Sequence, residues 1–144
     1  MNIVILGAGG VGSYFGVKLL NSKHNVSFVA RGEHLKALQT KGLHVKHPSF
    51  KCVQTVDALD MHSLLCLDAS SFDVVLLLTK SMETTTIAEQ LLQWFTASSK
   101  FPYVVSLQNG VENEEILSNF LPPQKVLGGL TRKIGAHVVN TGCV

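Results

Sequence analysis

Apolar positions along the chain change rhythm several times, from short continuous or alternating runs to stretches with a period near 3.6, and each change predicts a strand or a helix. The first run, Ile3-Val4-Ile5-Leu6, breaks into a glycine-rich turn and then into a helical pattern. In that helix Val11, Phe15 and Leu19 share one stripe, with Gly12, Gly16 and Leu20 beside it, and this face is predicted to pack on the sheet. Gly16 costs up to about 1 kcal/mol relative to alanine in a helix interior, so a close approach between backbones is the expected reason for it. Residues 25–30 alternate as a second strand, and 33–41 read as a short helix closed by Gly42. Residues 43–56 read as two extended segments around His47-Pro48-Ser49, a hairpin or an edge pair. Residues 57–71 contain Leu59, Leu64, Leu65 and Leu67 but keep no period, and no element or chemistry is assigned to them.

Residues 72–79 form a nearly continuous apolar run, the pattern of a central strand covered on both faces. An amphipathic helix over 82–98 follows, with Ile87, Leu91, Trp94 and Phe95 on its buried side and Ser81 as its cap. A second buried strand is predicted over 103–107, then the turn Gln108-Asn109-Gly110-Val111 and a helix from Glu112 through Leu117 with an acidic first turn. Beyond Pro122-Pro123 come a short strand at 125–128, a loop at 129–135, and a strand, turn and returning strand at 137–144. A chain ending inside an apolar strand protects a sheet edge poorly, so more protein is expected to follow. The whole alternation reads as one α/β domain over 1–144, a Rossmann-type, doubly wound, mainly parallel sheet with helices on both faces.

Composition narrows the class. The chain has 144 residues, 46% of them hydrophobic and 15% charged, enough to bury roughly two thirds of the unfolded surface in one core-rich domain. A formal charge of +2, scattered along the sequence, argues against nucleic acid and membrane surfaces as partners. The longest apolar run, 74–78, is far too short to span a membrane, and no basic segment precedes an apolar one at the N-terminus. A cytoplasmic protein is expected. Cys52, Cys66 and Cys143 are widely spaced and form no C-x-x-C, which suits reduced thiols. His44 and His47 would point to opposite faces of a strand and read as surface histidines, so no metal site is expected.

Four places carry candidate chemistry. Gly7, Gly9 and Gly12 fit G-x-G-x-x-G between a strand and a helix. Gly7 allows the tight turn, Gly9 lets backbone approach a pyrophosphate, and Gly12 seats the helix against the sheet, while unpaired N–H groups at the helix start face the phosphates. The alternative is a glycine-rich turn that binds nothing. Arg31 stands 19 residues after Gly12, where NAD-binding versions of this fold carry an acidic residue for the ribose 2′-hydroxyl. A guanidinium suits a 2′-phosphate and leans the reading to NADP(H); otherwise Arg31 is a solvated helix-start residue that Glu33 could neutralise. Lys80, at the carboxyl end of the 72–79 strand, could meet a phosphate, a ribose hydroxyl or a substrate oxygen, or be a surface lysine before a helix. Asn109, at the end of the next strand, could bind a carbonyl and a ribose hydroxyl at once, or serve as a turn or capping asparagine.

In this order the features resemble the N-terminal domain of the ketopantoate reductase (2-dehydropantoate 2-reductase) family over almost the whole chain. The resemblance rests on Gly7-Ala8-Gly9-Gly10-Val11-Gly12, Arg31, Thr79-Lys80-Ser81, Gln108-Asn109-Gly110-Val111 with Glu112 and Glu115 behind it, and the terminal hairpin. It implies an oxidoreductase that reduces a small 2-keto acid to a 2-hydroxy acid with NADPH, ketopantoate to pantoate in pantothenate biosynthesis. It also implies cofactor contacts by Gly7, Ala8, Gly9, Gly10, Val11 and Gly12, the backbone around the last four holding the pyrophosphate, by Arg31 at the 2′-phosphate and by Lys80 at the carboxyl edge. Asn109 would touch both cofactor and substrate near the nicotinamide. The family's general-acid lysine and its assisting glutamate lie in a helical C-terminal domain that is absent here. No catalytic residue is therefore expected in this chain, which should bind cofactor without turnover, and residues 130–134 match no motif. Two rivals remain at this point: a non-catalytic dinucleotide-sensing module, and a Rossmann oxidoreductase acting on another hydroxy acid, an amine or a sugar nucleotide. Arg31 argues against NAD-preferring versions, and Lys80 with Asn109 against the rest.

Overall fold

In the computed structural model, which describes residues 1–48, 50–132 and 134–144, strand β1 (Asn2–Leu6) is closed on both faces. Val4 and Leu6 point into one hydrophobic core, Ile3 and Ile5 into the other, as the two-residue period of a strand requires. The strands that follow are β2 (Asn25–Val29), β3 (Leu43–His47), β4 (Phe50–Gln54), β5 (Asp57–Leu59), β6 (Val74–Leu77), β7 (Tyr103–Ser106) and β8 (Val126–Gly128). Six of them form a parallel sheet in the order β5-β2-β1-β6-β7-β8. The chain winds outward from β1 through β2 to β5, then returns to β6 and winds out the other way, so the order reverses between β1 and β6. That is the doubly wound, Rossmann-like arrangement read from the sequence.

The helices are α1 (Gly10–Asn21), α2 (Gly32–Lys41), α3 (Met61–Leu65), α4 (Thr84–Thr96) and α5 (Asn113–Phe120). One core joins Leu64 of α3, Ile87, Leu91, Trp94 and Phe95 of α4 and Leu117 of α5 to Val4, Leu6, Val75, Leu77 and Val104. Trp94 is buried as expected, and its indole N–H donates to the Leu67 carbonyl at 2.7 Å. The opposite core joins Val17 of α1, Leu38 of α2 and Leu43 and Val45 of β3 to Ile3, Ile5, Val26 and Phe28. Among the described residues no helix is long and apolar enough to cross a membrane.

Several local expectations are corrected. On the side of α1 against the sheet, Gly12 and Gly16 lie as expected, but Ser13 and Val17 are buried with them, while Val11 and Phe15 are only half-buried and Leu19 and Leu20 pack at the margin of the core. The smallest residues define the contact because the sheet comes closest there. A Cβ on Gly16 would lie 2.2 Å from Cε1 of Phe28, so an aromatic ring, rather than another backbone, occupies that space. Residues 57–71 hold the edge strand β5, α3 and a turn of 3₁₀ helix at Ala69–Ser71. Ser81 does not cap α4; it opens a 3₁₀ turn, Ser81–Glu83, and the α-helix starts only at Thr84. Residues 103–107 and their neighbour β8 are covered on one face only: Tyr103 and Leu127 are exposed and Val105 is half-buried between them.

Segment 43–54 is the hairpin expected, β3 antiparallel to β4, as a sheet of its own. Gly42 ends α2 at φ +74°, a left-handed value that favours glycine. The last residues return alongside β3, with the N–H of Val144 donating to the His44 carbonyl at 2.9 Å and that of Lys46 to the Val144 carbonyl at 2.7 Å. Residues 137–139 form no strand; Val139 N–H donates to the Cys143 carbonyl of the returning segment at 2.9 Å.

Candidate dinucleotide site

The glycine turn sits where the sheet order reverses. Gly7 leaves β1 at φ +108°, and a Cβ there would lie 2.8 Å from both the Leu78 carbonyl carbon and the Thr79 nitrogen. The turn after β1 and the end of β6 are thus in backbone contact, which only glycine permits at this φ. On the other side the N–H groups of Gly7 and Ala8 donate to the Val29 carbonyl at 3.3 and 3.0 Å, fixing the turn to the end of β2. Gly12 lies directly over the turn, its notional Cβ 2.2 Å from the Gly7 oxygen.

Within the motif the glycines divide their roles. Gly9 is exposed, and nothing lies within 4 Å of where its Cβ would be. Gly10 is covered: a Cβ there would meet the Ala136 carbonyl carbon at 2.3 Å. The first bond of α1 runs from Ser13 N–H to the Gly9 carbonyl at 2.9 Å, so the preceding N–H groups at the helix start have no partner within the helix. With no acidic residue in that first turn, the positive end of the helix dipole is left uncompensated beside the open edge at Gly9. Such a place suits an anion approaching backbone.

Two side chains that the sequence did not single out brace this turn. The hydroxyl of Ser13 donates to the Ala8 carbonyl at 3.0 Å. His34, in the first turn of α2, places Nε2 2.8 Å from the same oxygen, while its Nδ1 accepts the Gly142 N–H at 3.1 Å. Because Nδ1 accepts, the ring hydrogen is on Nε2, and the ring links the turn to the segment returning along β3.

Arg31 leaves β2 at the residue before α2 and is 85% exposed. Its Nη2 donates to Oε1 of Glu83 at 2.8 Å. Glu33, the carboxylate expected to neutralise it, instead pairs with Lys36 at 2.8 Å. Since β2 and β6 flank β1, the ion pair spans the carboxyl end of β1. The signal available for Glu83 was its place, three residues beyond Lys80 at the end of a strand adjoining β1. Lys80 itself is exposed and, among the described residues, its ammonium has no hydrogen bond or ion pair.

Asn109 follows β7 at the same edge of the sheet. It is exposed, and its carbonyl accepts from Nδ2 of Asn113 at 3.0 Å. It caps no helix, because α5 starts at Asn113 with Glu112 at the cap position, and this removes the capping alternative. Beneath it lies a buried polar network that sequence reasoning missed. Gln108 Nε2 donates to the Thr79 carbonyl at 3.1 Å and to the Thr84 hydroxyl at 3.0 Å, and that hydroxyl donates to Oδ1 of Asn113 at 2.9 Å. The loops bearing Lys80 and Asn109 are thereby joined from below. The structure thus brings the glycine turn, Arg31, Lys80 and Asn109 to one edge, at the carboxyl ends of β1, β2, β6 and β7. Among the described residues no cluster of histidine, cysteine or acidic side chains is grouped to hold a metal ion.

A reversing parallel sheet with a glycine turn and an open helix start at the reversal defines a Rossmann-like domain of the dinucleotide-binding class. Residues 3–144 match the family model described as Ketopantoate reductase PanE/ApbA, and the chain belongs to that family, one of dinucleotide-binding oxidoreductases. A 2-dehydropantoate 2-reductase from Archaeoglobus fulgidus is 37% identical over 99% of this chain and 42% of its own length. A solved PanE/ApbA family ketopantoate reductase from Ralstonia eutropha is 30% identical with a TM-score of 0.81, covering 99% of this chain and 45% of that one. A D-mandelate dehydrogenase solved with NADH and anilino(oxo)acetate has the same fold, at a TM-score of 0.84 and 24% identity over 99% of this chain and 44% of that one. The chain spans less than half the length of the relatives it matches. The family expected from the order of motifs is the family found.

Proposed function

We propose that this chain is the NADP(H)-binding domain of an NADPH-dependent 2-keto acid reductase, a 2-dehydropantoate 2-reductase that converts ketopantoate to pantoate. The observation that carries the reading is the open backbone at Gly9, beside the unpartnered start of α1, with Arg31, Lys80 and Asn109 along one sheet edge. The residues fit the cofactor. Gly9, Gly10, Val11 and Gly12 present backbone N–H groups to the pyrophosphate, while Gly7 and Ala8 shape the turn that holds them there. Arg31 offers a planar fork of donors to the 2′-phosphate, and Lys80 adds a second cation at the carboxyl edge. Asn109, with an exposed amide that can donate and accept, orients nicotinamide and keto acid.

Bound NADPH supplies a hydride to the keto carbon. The proton that completes the alcohol is assigned to a part of the enzyme outside this chain, because the relatives are more than twice as long and, among the described residues, this edge offers no shielded acid. Alone, the chain binds cofactor without turnover. Its three cysteines, all free, agree with a reducing cytoplasmic setting.

Calorimetric titration with NADPH and NADH, repeated on Arg31→Ala, tests the reading. A charge-assisted contact contributes roughly 1.5–3 kcal/mol, so NADPH should lose about ten- to a hundredfold in affinity while NADH changes little. Equal affinities untouched by the substitution would refute the NADP(H) assignment. Ketopantoate-dependent oxidation of NADPH by the chain alone would refute binding without turnover.

A further inference from the structure

We propose that Glu83 is a specificity-determining residue at the adenosine end of the site: by holding Arg31, its carboxylate narrows the preference for a 2′-phosphorylated dinucleotide over an unphosphorylated one. The inference rests on the reading of Arg31 as the 2′-phosphate ligand and concerns a residue on a different strand end.

The geometry places a negative charge on the very group that a 2′-phosphate needs. Oε1 of Glu83 lies 2.8 Å from Nη2 of Arg31. Glu83 is the better anchored partner, 34% exposed against 85% for the guanidinium. Its backbone N–H donates to the Lys80 carbonyl at 3.0 Å within the 3₁₀ turn, and it stands at the N-terminal end of α4, where the helix dipole favours a carboxylate. A phosphate monoester carries a charge of about −1.5 to −2 near neutral pH, so placing it on Arg31 sets it beside a like charge. A ribose 2′-hydroxyl is neutral and can donate a hydrogen bond to a carboxylate, as it does to the acidic residue of NAD-binding Rossmann domains. The pair therefore offers the guanidinium to one cofactor and the carboxylate to the other. Glu33 does not take this part, since it is engaged with Lys36. Exposed ion pairs contribute little to folding, so either partner can be replaced without losing the fold.

The test is calorimetric titration of the 144-residue chain with NADPH and with NADH, for the unaltered chain, Glu83→Gln, Arg31→Ala and the double substitution. Glu83→Gln should tighten NADPH roughly five- to tenfold and weaken NADH about two- to threefold, moving their affinity ratio by at least about tenfold. On the Arg31→Ala background the same change should tighten NADPH by a smaller factor, because only the like-charge repulsion is left to relieve and the guanidinium it would release is gone. A ratio unchanged by Glu83→Gln, in a chain whose NADPH affinity falls with Arg31→Ala, overturns this inference and leaves the cofactor reading standing. NADPH binding that is indifferent to Arg31→Ala, or no binding of either nucleotide, overturns the cofactor reading and this inference with it.

Discussion

The imidazole of His34 holds the carbonyl of Ala8, Nε2 to oxygen at 2.8 Å, and so ties the first turn of α2 to the glycine turn. The other ring nitrogen accepts the Gly142 N–H at 3.1 Å, so one side chain secures two backbone segments 134 residues apart (142 − 8). In His34→Ala the Ala8 oxygen keeps only the Ser13 hydroxyl among its described side-chain donors, and the Gly142 N–H loses its acceptor. Leaving a part-buried donor unmet costs about 1–3 kcal/mol, so the urea midpoint should fall with no change in m-value. The Gly142 amide should also exchange faster with solvent. An unaltered midpoint and exchange rate would show that the ring is dispensable.

Gly16 and Phe28 make a prediction in which two effects oppose. Alanine is the better helix former by up to about 1 kcal/mol, so propensity alone makes Gly16→Ala stabilising. The added methyl would sit 2.2 Å from Phe28 Cε1 and 2.3 Å from Cζ, in a ring that is fully buried. Forcing such a ring aside costs roughly 1–3 kcal/mol, which outweighs the propensity. Gly16→Ala should lower the urea midpoint, and Phe28→Leu in the same chain should restore part of the loss. A stabilised Gly16→Ala would mean that the ring has room to move.

Stability should also fall in acid. Asp73 accepts the Asn2 N–H at 2.9 Å and lies 3.7 Å from the Lys100 ammonium; the backbone hydrogen bond first, and that cation second, hold its carboxyl below the usual carboxylate range. Asp60 is lowered chiefly by the Ser63 backbone N–H, and Asp68 chiefly by the Ser70 hydroxyl. A carboxyl lowered by folding stabilises the native state fully above its unfolded value, about 3.9, and the contribution disappears as pH falls through the lower folded value. The stabilisation these three carboxyls supply should therefore be level from neutral pH down to about 5 and decline below about 4. Asp73→Asn should have the lower midpoint at pH 7, with the gap to the unaltered chain closing toward pH 3. A gap independent of pH would separate the effect from ionisation.

How much of this was legible follows from the range over which each feature is encoded. The β1–turn–α1 unit, β6 and the buried positions Ile87, Leu91, Trp94 and Phe95 announce themselves locally, by period and by glycine placement, and the structure places them as read. The places of Arg31, Lys80 and Asn109 are legible because a strand's carboxyl end can be read from where its apolar run stops. The pairing of Glu83 is not, because its partner is 52 residues away and meets it only through the sheet order. Strand β5 is three residues long, too short to show alternation, and owes its form to parallel pairing with β2. The face of α1 is legible in part: Gly12, Gly16, Leu19 and Leu20 meet the core as expected, but Ser13 and Val17 rather than Val11 and Phe15 complete the contact, because close packing on a sheet favours small residues over the stripe of large ones. A serine ahead of a helical pattern resembles a cap, but Ser81 is separated from the α-helix by a 3₁₀ turn that the pattern does not show.

The network under Lys80 and Asn109 gives the prediction that bears most directly on the site. Gln108 is buried and bridges the Thr79 carbonyl at the end of β6 to the Thr84 hydroxyl at the start of α4, and Thr84 in turn holds Asn113. Gln108→Leu keeps the bulk but removes the donor, leaving the Thr79 carbonyl and Thr84 hydroxyl short of a partner. Such losses cost about 1–3 kcal/mol in stability. If Gln108 positions the two loops, NADPH affinity should also fall, by roughly three- to tenfold, although Gln108 itself is turned away from solvent. Lys80→Ala, on an exposed side chain without a partner among the described residues, separates the two effects: it should weaken NADPH and leave the unfolding free energy within about 0.5 kcal/mol of the original. The double substitution should then weaken NADPH by less than the product of the single effects, since a displaced loop has already withdrawn the lysine. Full multiplicativity would show that the lysine's placement does not depend on Gln108.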